Sequence, residues 1–266
     1  NKVVNEIIDY KKFINYKFIG LTSQTHLLKN NNNKINFYHY NDDISHLNLE
    51  FHNVIIISSR VPSLGGDKKD FFKVNNVVQS ILLKNNYHKK CRISLFSTFS
   101  VYNSLVENVK NDSKIEPQNH YGNAKYSLEE FVIDLCKSKN IYYIIYRLPV
   151  FLYSGVQSNF IAKIRNSIMN KDEIILSNPD AFLSAVFDIY TLLELESYDL
   201  IKNRTVNCGA LGDITFNEIS KLAMFYGENK VTWVESKRPS ANVNIEQIIE
   251  ILGYAPSAKL IIERWF

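Results

Sequence analysis

The sequence lacks an apolar run long enough to cross a membrane. Its longest such run, IYYIIYRLPVFLY from Ile141, contains Arg147 and is shorter than the about 20 residues that a transmembrane helix needs. The first residues do not have the architecture of a signal peptide. We therefore expect a soluble, cytoplasmic protein with no membrane partner.

Cysteine is scarce, and charge of one sign is not concentrated anywhere. Cys91, Cys136 and Cys208 have no metal-ligand spacing, and two of them lie in apolar runs, which predicts reduced core residues and no metal site. The formal net charge is only +4, and the basic residues are spread along the chain, which argues against nucleic-acid binding. A small anionic ligand would suit a basic excess of this size.

The sequence does contain a regular alternation of strand-like and helix-like segments. Its 266 residues, of which 45% are apolar, suffice for one large α/β domain or for a domain with a smaller lobe. Strands are predicted in YKFIGLT, KINFYHY, VIIIS (Val54 to Ser58), RISLFST and IYYIIYRLPV, and helices in NKVVNEIID, FFKVNNVVQSILL and YSLEEFVIDLCKS. This order predicts a doubly wound parallel sheet of the α/β class.

Beyond about residue 155 the pattern is less regular. There we predict a helix from Asn159, an EIIL strand, a helix near Asp188, an RTVNCG strand, a helix with a Thr215 and Glu218 capping box that ends at Gly227, and two short helices around Gly253 and Pro256. We therefore divide the chain into residues 1–154 and 155–266.

Polar residues follow the predicted strands, where open parallel sheets bind their ligands. Tyr121 and Lys125 begin the helix after Thr98 and are four residues apart. The same spacing recurs at Tyr198 and Lys202 and at Tyr226 and Lys230, so spacing alone does not identify a proton-transfer pair. The start of the helix that follows Thr98 distinguishes the first pair from the other two, which lie in the less regular C-terminal third.

Several short motifs occur in a definite order. Ser97 to Tyr102 is similar to a strand-end motif that carries a catalytic Ser or Thr, and Tyr121 to Lys125 matches Tyr-x-x-x-Lys. The further matches are Asn75, Arg147 to Pro149 with Gly155, Val186 with Asp188, Asn207 with Gly209, and Leu252, Gly253 and Pro256. Together these motifs resemble the extended short-chain dehydrogenase/reductase family, the NAD-dependent epimerase/dehydratase group that acts on sugar nucleotides.

The resemblance covers essentially the whole chain and implies its organisation. Residues 1–154 would form a Rossmann-like dinucleotide-binding domain, and residues 155–266 mainly a substrate-binding lobe, with some segments returning to the sheet. The family's Gly-x-x-Gly-x-x-Gly turn is missing, and the helix NKVVNEIID begins where its third glycine would end. We therefore expect the first strand and the phosphate-binding turn in roughly a dozen residues upstream of Asn1.

The resemblance also assigns roles. Tyr121 would be the catalytic acid, Lys125 would lower its pKa from the free value of about 10 and bind the nicotinamide ribose, and Thr98 would orient the carbonyl. Implied cofactor contacts are Thr22, Ser23, Asp43, Ile44, Ser58, Ser59, Asn75, Lys125 and Pro149, and implied substrate contacts are Phe99, Ser100, Asn159 and Arg238. A turn aspartate, a helix cap and a surface charge are the alternatives for Asp43, Asn159 and Arg238.

Departures from the family pattern narrow the reaction. Dehydratases of the family carry Asp-Glu after the Thr, where this chain has Phe99 and Ser100, so dehydration is not expected. No acid follows the first visible strand, where Thr22 and Ser23 stand, which favours NADP(H) as cofactor and leaves NAD(H) as the alternative.

These features predict an NADPH-dependent reductase of a 4-keto-deoxysugar nucleotide in the synthesis of surface-polysaccharide precursors. The alternatives are an NAD-dependent sugar-nucleotide epimerase and a non-catalytic dinucleotide-binding or scaffold protein. The resemblance also implies a homodimer, formed through the helices around Asn75 and Tyr121.

Overall fold

The structure is a computed structural model, and it describes residues 6, 7, 9, 10, 18–22, 35–39, 50–57, 68–103, 108–110, 112–154, 156, 159–198, 201–234 and 242–266. The strands are β1 (Phe18–Thr22), β2 (Ile35–His39), β3 (Glu50–Ile56), β4 (Asn86–Thr98), β5 (Asn108–Val109), β6 (Tyr142–Leu148), β7 (Val150–Leu152), β8 (Ile174–Ser177), β9 (Val186–Asp188), β10 (Arg204–Asn207), β11 (Val231–Val234) and β12 (Asn242–Val243). The helices are α1 (Lys68–Lys84), α2 (His120–Lys139), α3 (Phe160–Asn170), α4 (Ile189–Glu196), α5 (Phe216–Gly227), α6 (Glu246–Leu252) and α7 (Ala258–Trp265).

The central sheet is parallel and has the order β10-β6-β4-β3, while β1 and β2 form a parallel pair. Apolar clusters cover both faces of this sheet. On one face Ile93, Leu95 and Ile145 pack against Leu128 and Val132 of α2. On the other face Phe96, Ile144 and Tyr146 pack against α4 and α6. The α/β class and the doubly wound parallel arrangement predicted from the sequence are confirmed.

The helix that carries Tyr121 has clear local signals at both ends. Asn119 accepts a hydrogen bond from the Gly122 backbone N–H at 2.8 Å and so caps the amino terminus of α2. Asn140 adopts the left-handed conformation (φ 52°) that ends the helix. Leu128, Val132 and Leu135 are buried against the sheet, as their helical spacing predicts.

Two strands begin earlier than the sequence predicts. β3 begins at Glu50 and β4 at Asn86, whereas the apolar runs begin at Val54 and Arg92. Glu50 and Phe51 pair with Asn86 and Tyr87, ahead of an irregularity in the register. Hydrogen bonding between neighbouring backbones therefore extends both strands into polar residues, which hydrophobic periodicity cannot detect.

The C-terminal elements share a further apolar cluster. Ile161 of α3, Ile174 of β8, Ile219 of α5 and Ile261 of α7 are buried in it. The smaller strand pairs are β7 with β9, β8 with β11 and β5 with β12. The division at residues 154 and 155 stays a prediction.

The predicted capping box of α5 is present, and its C-terminus needs one correction. Thr215 and Glu218 exchange the expected hydrogen bonds. The helix ends at Gly227 as predicted, but the left-handed residue is Glu228, with φ 55°. A Cβ on Gly227 would lie 1.8 Å from Asn229 Oδ1, so close approach of this side chain accounts for the glycine.

All three cysteines are free and buried, which confirms the predicted core role. In the described part of the chain no helix is long and apolar enough to cross a membrane. Within those same residues, no cluster of three or more His, Cys, Asp or Glu side chains could hold a metal ion.

Candidate active site

Thr98 ends β4 at the carboxyl edge of the sheet, where its register partner is Leu148 of β6. Its side chain is buried, and its Oγ1 accepts a hydrogen bond from the Ser100 backbone N–H at 3.2 Å. This bond caps a short 3-10 helix, Phe99–Val101. The threonine hydroxyl is therefore held at the sheet edge by the turn that follows it.

Tyr121 lies in the first turn of α2, and its hydroxyl is close enough to the Thr98 side chain for Thr98 to shift the pKa of the phenol. Burial raises the pKa of the Tyr121 phenol, and the Thr98 hydroxyl lowers it in part. The Phe71 ring of α1 contacts the Tyr121 ring edge-on, at 5.9 Å between centroids. The sequence-predicted pair of hydroxyls is thus brought together at one point.

The close approach of α2 to the 3-10 helix requires glycine at position 122. A Cβ there would lie 2.0 Å from the Ser100 carbonyl oxygen, which is backbone and cannot rotate away. Glycine at position 122 therefore allows α2 to begin against the turn that follows Thr98.

Lys125 lies one helical turn beyond Tyr121 and is only 5% exposed. Its Nζ donates to the Phe96 carbonyl oxygen at 2.9 Å and lies 6.0 Å from the centroid of the Tyr121 ring. Burial lowers the pKa of Lys125 to about 8, and the nearby Glu129 carboxylate opposes this effect. The pKa of Tyr121 lies above its ordinary value because of burial, so the predicted lowering of that pKa by Lys125 is not borne out by this structure.

Asn75 contributes to this region from α1. Its Nδ2 donates to the Ala124 carbonyl oxygen at 2.6 Å, and the side chain is buried. The amide ties α1 to the turn of α2 between Tyr121 and Lys125. The structure therefore gives Asn75 a contact that positions the helix, and its role towards a cofactor stays a prediction.

A buried polar network next to the site was missed by the sequence analysis. Its key member is Glu129, which lies one helical turn beyond Lys125. The Glu129 carboxylate accepts hydrogen bonds from Ser97 and from Arg147. Arg147 Nη1 donates to the Tyr102 hydroxyl, which donates to Asn207 Oδ1, both at 2.7 Å. An acid on the inward face of a helix, between Leu128 and Val132, was the sequence signal that could have revealed it.

Other predicted contacts are placed less completely. Phe99 packs against the Tyr102 ring at 5.9 Å, and Ser100 contacts Thr98. Pro149 directly follows β6 and Thr22 ends β1. Ser23, Asp43, Ile44, Ser58, Ser59, Gly155 and Arg238 lie outside the described residues.

The predicted cap at Asn159 is present. Its Oδ1 accepts from the Ala162 backbone N–H at 2.9 Å, and its Nδ2 donates to the Phe151 carbonyl oxygen at 2.7 Å. These bonds confirm the cap and orient the amide on β7. A contact with substrate stays a prediction.

The two other Tyr-Lys pairs have different surroundings. Tyr226 is half exposed, and Lys230 forms an exposed ion pair with Glu173 at 3.0 Å. Lys202 lies over the Tyr142 ring at 4.3 Å. The structure thus separates these surface contacts from the buried pair at the sheet edge.

The residues at the sheet edge fit a nicotinamide nucleotide. The carboxyl ends of parallel strands are where such sheets bind nucleotides, and Lys125 presents a buried ammonium there, suited to ribose hydroxyls. The phenol of Tyr121 and the hydroxyl of Thr98 are close enough for both to bind one oxygen atom of a ligand. Of the predicted cofactor contacts, Lys125, Asn75, Pro149 and Thr22 lie in the described part of the chain.

The fold is similar to those of several solved structures. UDP-glucuronic acid 4-epimerase from Bacillus cereus, in complex with NAD, has a TM-score of 0.74 and 17% identity, with 97% of this chain and 89% of that chain covered. UDP-glucose 4-epimerase from Thermotoga maritima, with UDP-glucose, has a TM-score of 0.71 and 16% identity, with 99% of this chain and 95% of that chain covered. dTDP-glucose 4,6-dehydratase from Bacillus anthracis, in complex with NAD, has a TM-score of 0.72 and 14% identity, with 96% of this chain and 88% of that chain covered.

The sequence comparisons give a family and no individual relative. A search of curated proteins finds no match to this chain. The profile of the NAD dependent epimerase/dehydratase family matches residues 14–181, which is more than half of the sequence. The chain therefore belongs to the NAD dependent epimerase/dehydratase family, within the extended short-chain dehydrogenases/reductases.

Proposed function

We propose that the chain is a sugar-nucleotide epimerase that uses NAD and inverts a carbinol carbon by transient oxidation. The contact of Tyr121 with Thr98, next to the buried Lys125, is the observation that carries this proposal. Two of the similar structures are sugar-nucleotide 4-epimerases, one in complex with NAD and one with UDP-glucose. UDP-glucose and UDP-glucuronic acid are therefore the first substrates to test.

Each side chain has a distinct task in this proposal. The Tyr121 oxygen takes the proton of the sugar hydroxyl and later returns it, while the Thr98 hydroxyl holds the same sugar oxygen. Lys125 stabilises the phenolate electrostatically and binds the nicotinamide ribose. Bound NAD would supply the hydride acceptor and, in its reduced form, the donor.

The turn after Thr98 argues against dehydration. Elimination of water from the sugar needs an acid and a base beside the oxidised carbon. Phe99 packs on the Tyr102 ring and Ser100 contacts Thr98, and neither can serve as such an acid or base. Epimerisation needs only the Tyr121 proton and the hydride, so it suits the groups that are present.

A reductase that consumes NADPH is the second candidate. Thr22 ends β1 and Ser23 follows it, so no acid stands directly after the strand, which favours acceptance of the additional phosphate of NADP. Such an enzyme would reduce a 4-keto-deoxysugar nucleotide with the same Tyr121 acid. The difference between the two lies in whether the dinucleotide stays bound or is consumed.

Cofactor content and turnover distinguish these proposals. The dinucleotide released by denaturing the purified full-length protein is identified, and calorimetry measures binding of NAD, NADH and NADPH. We expect bound or tightly binding NAD, and interconversion of a UDP-sugar with its epimer without net use of cofactor. Stoichiometric consumption of NADPH would favour the reductase, and failure to bind any dinucleotide would exclude both.

Tyr121→Phe should lower turnover by roughly 10²- to 10⁴-fold, because it removes the group that exchanges the proton. Dinucleotide binding should remain, since the ring and Lys125 remain. Tyr226→Phe is the matched control, because it removes a half-exposed hydroxyl with the same spacing to a lysine, and its turnover should equal that of the unaltered protein. Equal turnover of both variants would contradict the assignment of Tyr121.

A further inference from the structure

A row of polar residues crosses the buried part of the sheet next to the site. Ser97 of β4 pairs in register with Arg147 of β6, and Arg147 pairs with Asn207 of β10. Register partners on adjacent strands point to the same face of a sheet. This row therefore lies on the face that α2 covers.

Glu129 of α2 completes the row from above. Its carboxylate accepts from the Ser97 hydroxyl, from Arg147 Nη2 at 2.7 Å and from Arg147 Nε at 3.1 Å. The side chain is only 1% exposed, and that of Arg147 is 10% exposed. The helix and two strands are thus joined by a buried, bidentate ion pair and a charge-assisted hydrogen bond.

Such an ion pair contributes little net stability to the folded protein, so stability alone does not explain its presence. Removing two charges from water costs about as much free energy as their attraction returns, and apolar residues of similar size often stabilise as much. The geometry of the contact is more specific than its energy. It fixes one strand end and one helix relative to each other.

The residues next to this ion pair are the candidate catalytic groups. Ser97 directly precedes Thr98, and Glu129 lies one helical turn beyond Lys125. In the described part of the chain, the polar and charged groups around Lys125 come from four elements: Tyr121 and Glu129 of α2, Thr98 and the Phe96 carbonyl of β4, Arg147 of β6 through Glu129, and the Asn75 amide of α1. Glu129 contributes a buried carboxylate to this set.

We propose that Glu129 is a positioning residue of the site, which holds the Thr98 strand end against the Tyr121 helix and places a buried carboxylate one helical turn from Lys125. The catalytic part of this inference rests on the proposed function. The carboxylate acts through Ser97 on the position of Thr98, and through its charge on Lys125. Without it, the buried Arg147 and Lys125 would lose their shared anion.

The opposite face of the sheet offers a matched control. Glu196 of α4 accepts hydrogen bonds from Arg92 Nη2 at 2.7 Å, from Ser94 Oγ at 2.7 Å and from the Tyr146 hydroxyl at 2.9 Å. It is as deeply buried as Glu129 and bonds to the same two central strands. No catalytic candidate lies among its described partners, so replacing Glu196 disturbs a similar ion pair away from the site.

The charge can be tested without any substrate. Protein labelled with ¹³C at the lysine ε-carbons is titrated by NMR, and Lys125→Met assigns the Lys125 signal. We expect Lys125 to titrate near pH 8 and, in Glu129→Gln, at a pH lower by about 1 unit or more. Glu129→Asp keeps the charge, so Lys125 should titrate close to its pH in the unaltered protein. Glu196→Gln should leave the Lys125 titration unchanged.

The position can be tested by removing one hydroxyl. Ser97→Ala keeps every charge but breaks the link between β4 and Glu129, and Ser94→Ala is its control at Glu196. With UDP-glucose, we expect Ser97→Ala to lower kcat by roughly 3- to 10-fold at unchanged KM, and its effect to exceed that of Ser94→Ala.

Separate results would overturn the two parts of the inference. An unchanged Lys125 titration in Glu129→Gln, or an equal shift in Glu196→Gln, would refute the electrostatic role. Equal kinetics of the two serine variants would refute the positioning role. If the unaltered protein does not turn over UDP-sugars, the proposed function fails while the Lys125 titration still decides on Glu129; if Glu129→Gln does not fold, Glu129→Asp and the serine variants decide.

Discussion

At the scale of single residues, Lys125 carries a charge that its surroundings disfavour. Its pKa falls from 10.5 to about 8 because the side chain is buried. A shift of this size corresponds to a cost of roughly 3 kcal/mol for keeping the ammonium in the folded protein at neutral pH. Function at this position is therefore expected to oppose stability.

Lys125→Met should make the protein inactive and more stable. We expect the free energy of unfolding at pH 7 to rise by roughly 1–3 kcal/mol, because the desolvation cost exceeds the lost bond to the Phe96 carbonyl. Denaturant unfolding measures this change. Lys230→Met, at an exposed ion pair, is the control and should change stability by less than about 1 kcal/mol.

The pH dependence of this difference follows from the sign of the shift. The unfolded chain holds the Lys125 proton more tightly than the folded one, so unfolding takes up a proton between about pH 8 and 10.5. The unaltered protein is therefore least stable, relative to Lys125→Met, below pH 8. Its relative stability rises as the pH increases through that window. A difference that stays constant from pH 7 to 10 would contradict the burial of a charged lysine.

At the scale of elements, the contact between α2 and the turn after β4 brings the site together. The Gly122 Cα faces the Ser100 carbonyl, and an added Cβ would overlap it. The two elements carry Tyr121 and Thr98. A shift of about 1 Å between the elements would misplace these two side chains relative to each other. A change at Gly122 therefore tests the element and not a catalytic group.

Gly122→Ala should separate α2 from the 3-10 helix. We expect a loss of roughly 1–3 kcal/mol in stability from overpacking, although alanine is the better helix former by about 1 kcal/mol, and a fall in turnover of the order of 10²-fold. Thermal unfolding and steady-state kinetics measure the two effects. In Gly212→Ala the new Cβ would meet side chains at 3.4 and 3.6 Å, so this control should behave like the unaltered protein.

The elements also show what a sequence can predict. The interiors of β3, β4 and β6 and the inward face of α2 were found because their apolar residues repeat with the right period. The polar starts of β3 and β4 were not, because backbone pairing between distant segments decides them. Local patterns report burial, while strand ends depend on the neighbouring strand.

The same reasoning explains the candidate site. The proximity of Thr98, Tyr121 and Lys125 could be predicted because they belong to ordered motifs at a strand end and at the start of the following helix. The burial of Glu129 was signalled by its place on the inward helix face, but its partners could not be predicted, since Ser97 and Arg147 are 32 and 18 residues away and meet it only through strand register. Residues whose role depends on sheet register are hidden from motif matching.

At the scale of the whole molecule, the description of the matched family names NAD, whereas Thr22 and Ser23 led to the prediction of NADPH. The match over residues 14–181 gives the family, and two similar structures contain NAD. The preference for NADP(H) and the homodimer stay predictions, to be tested by calorimetry and by light scattering.

The central claim is that hydride leaves one carbon of a sugar and returns to the same carbon. The most direct measurement uses UDP-glucose and UDP-glucuronic acid deuterated at C4, incubated with NAD-loaded protein and analysed by NMR and mass spectrometry. We expect the C4 epimer to form with its deuterium retained, and Tyr121→Phe to form none. Deuterium lost to solvent, or found in released reduced dinucleotide, or no epimer from either substrate, would contradict the account.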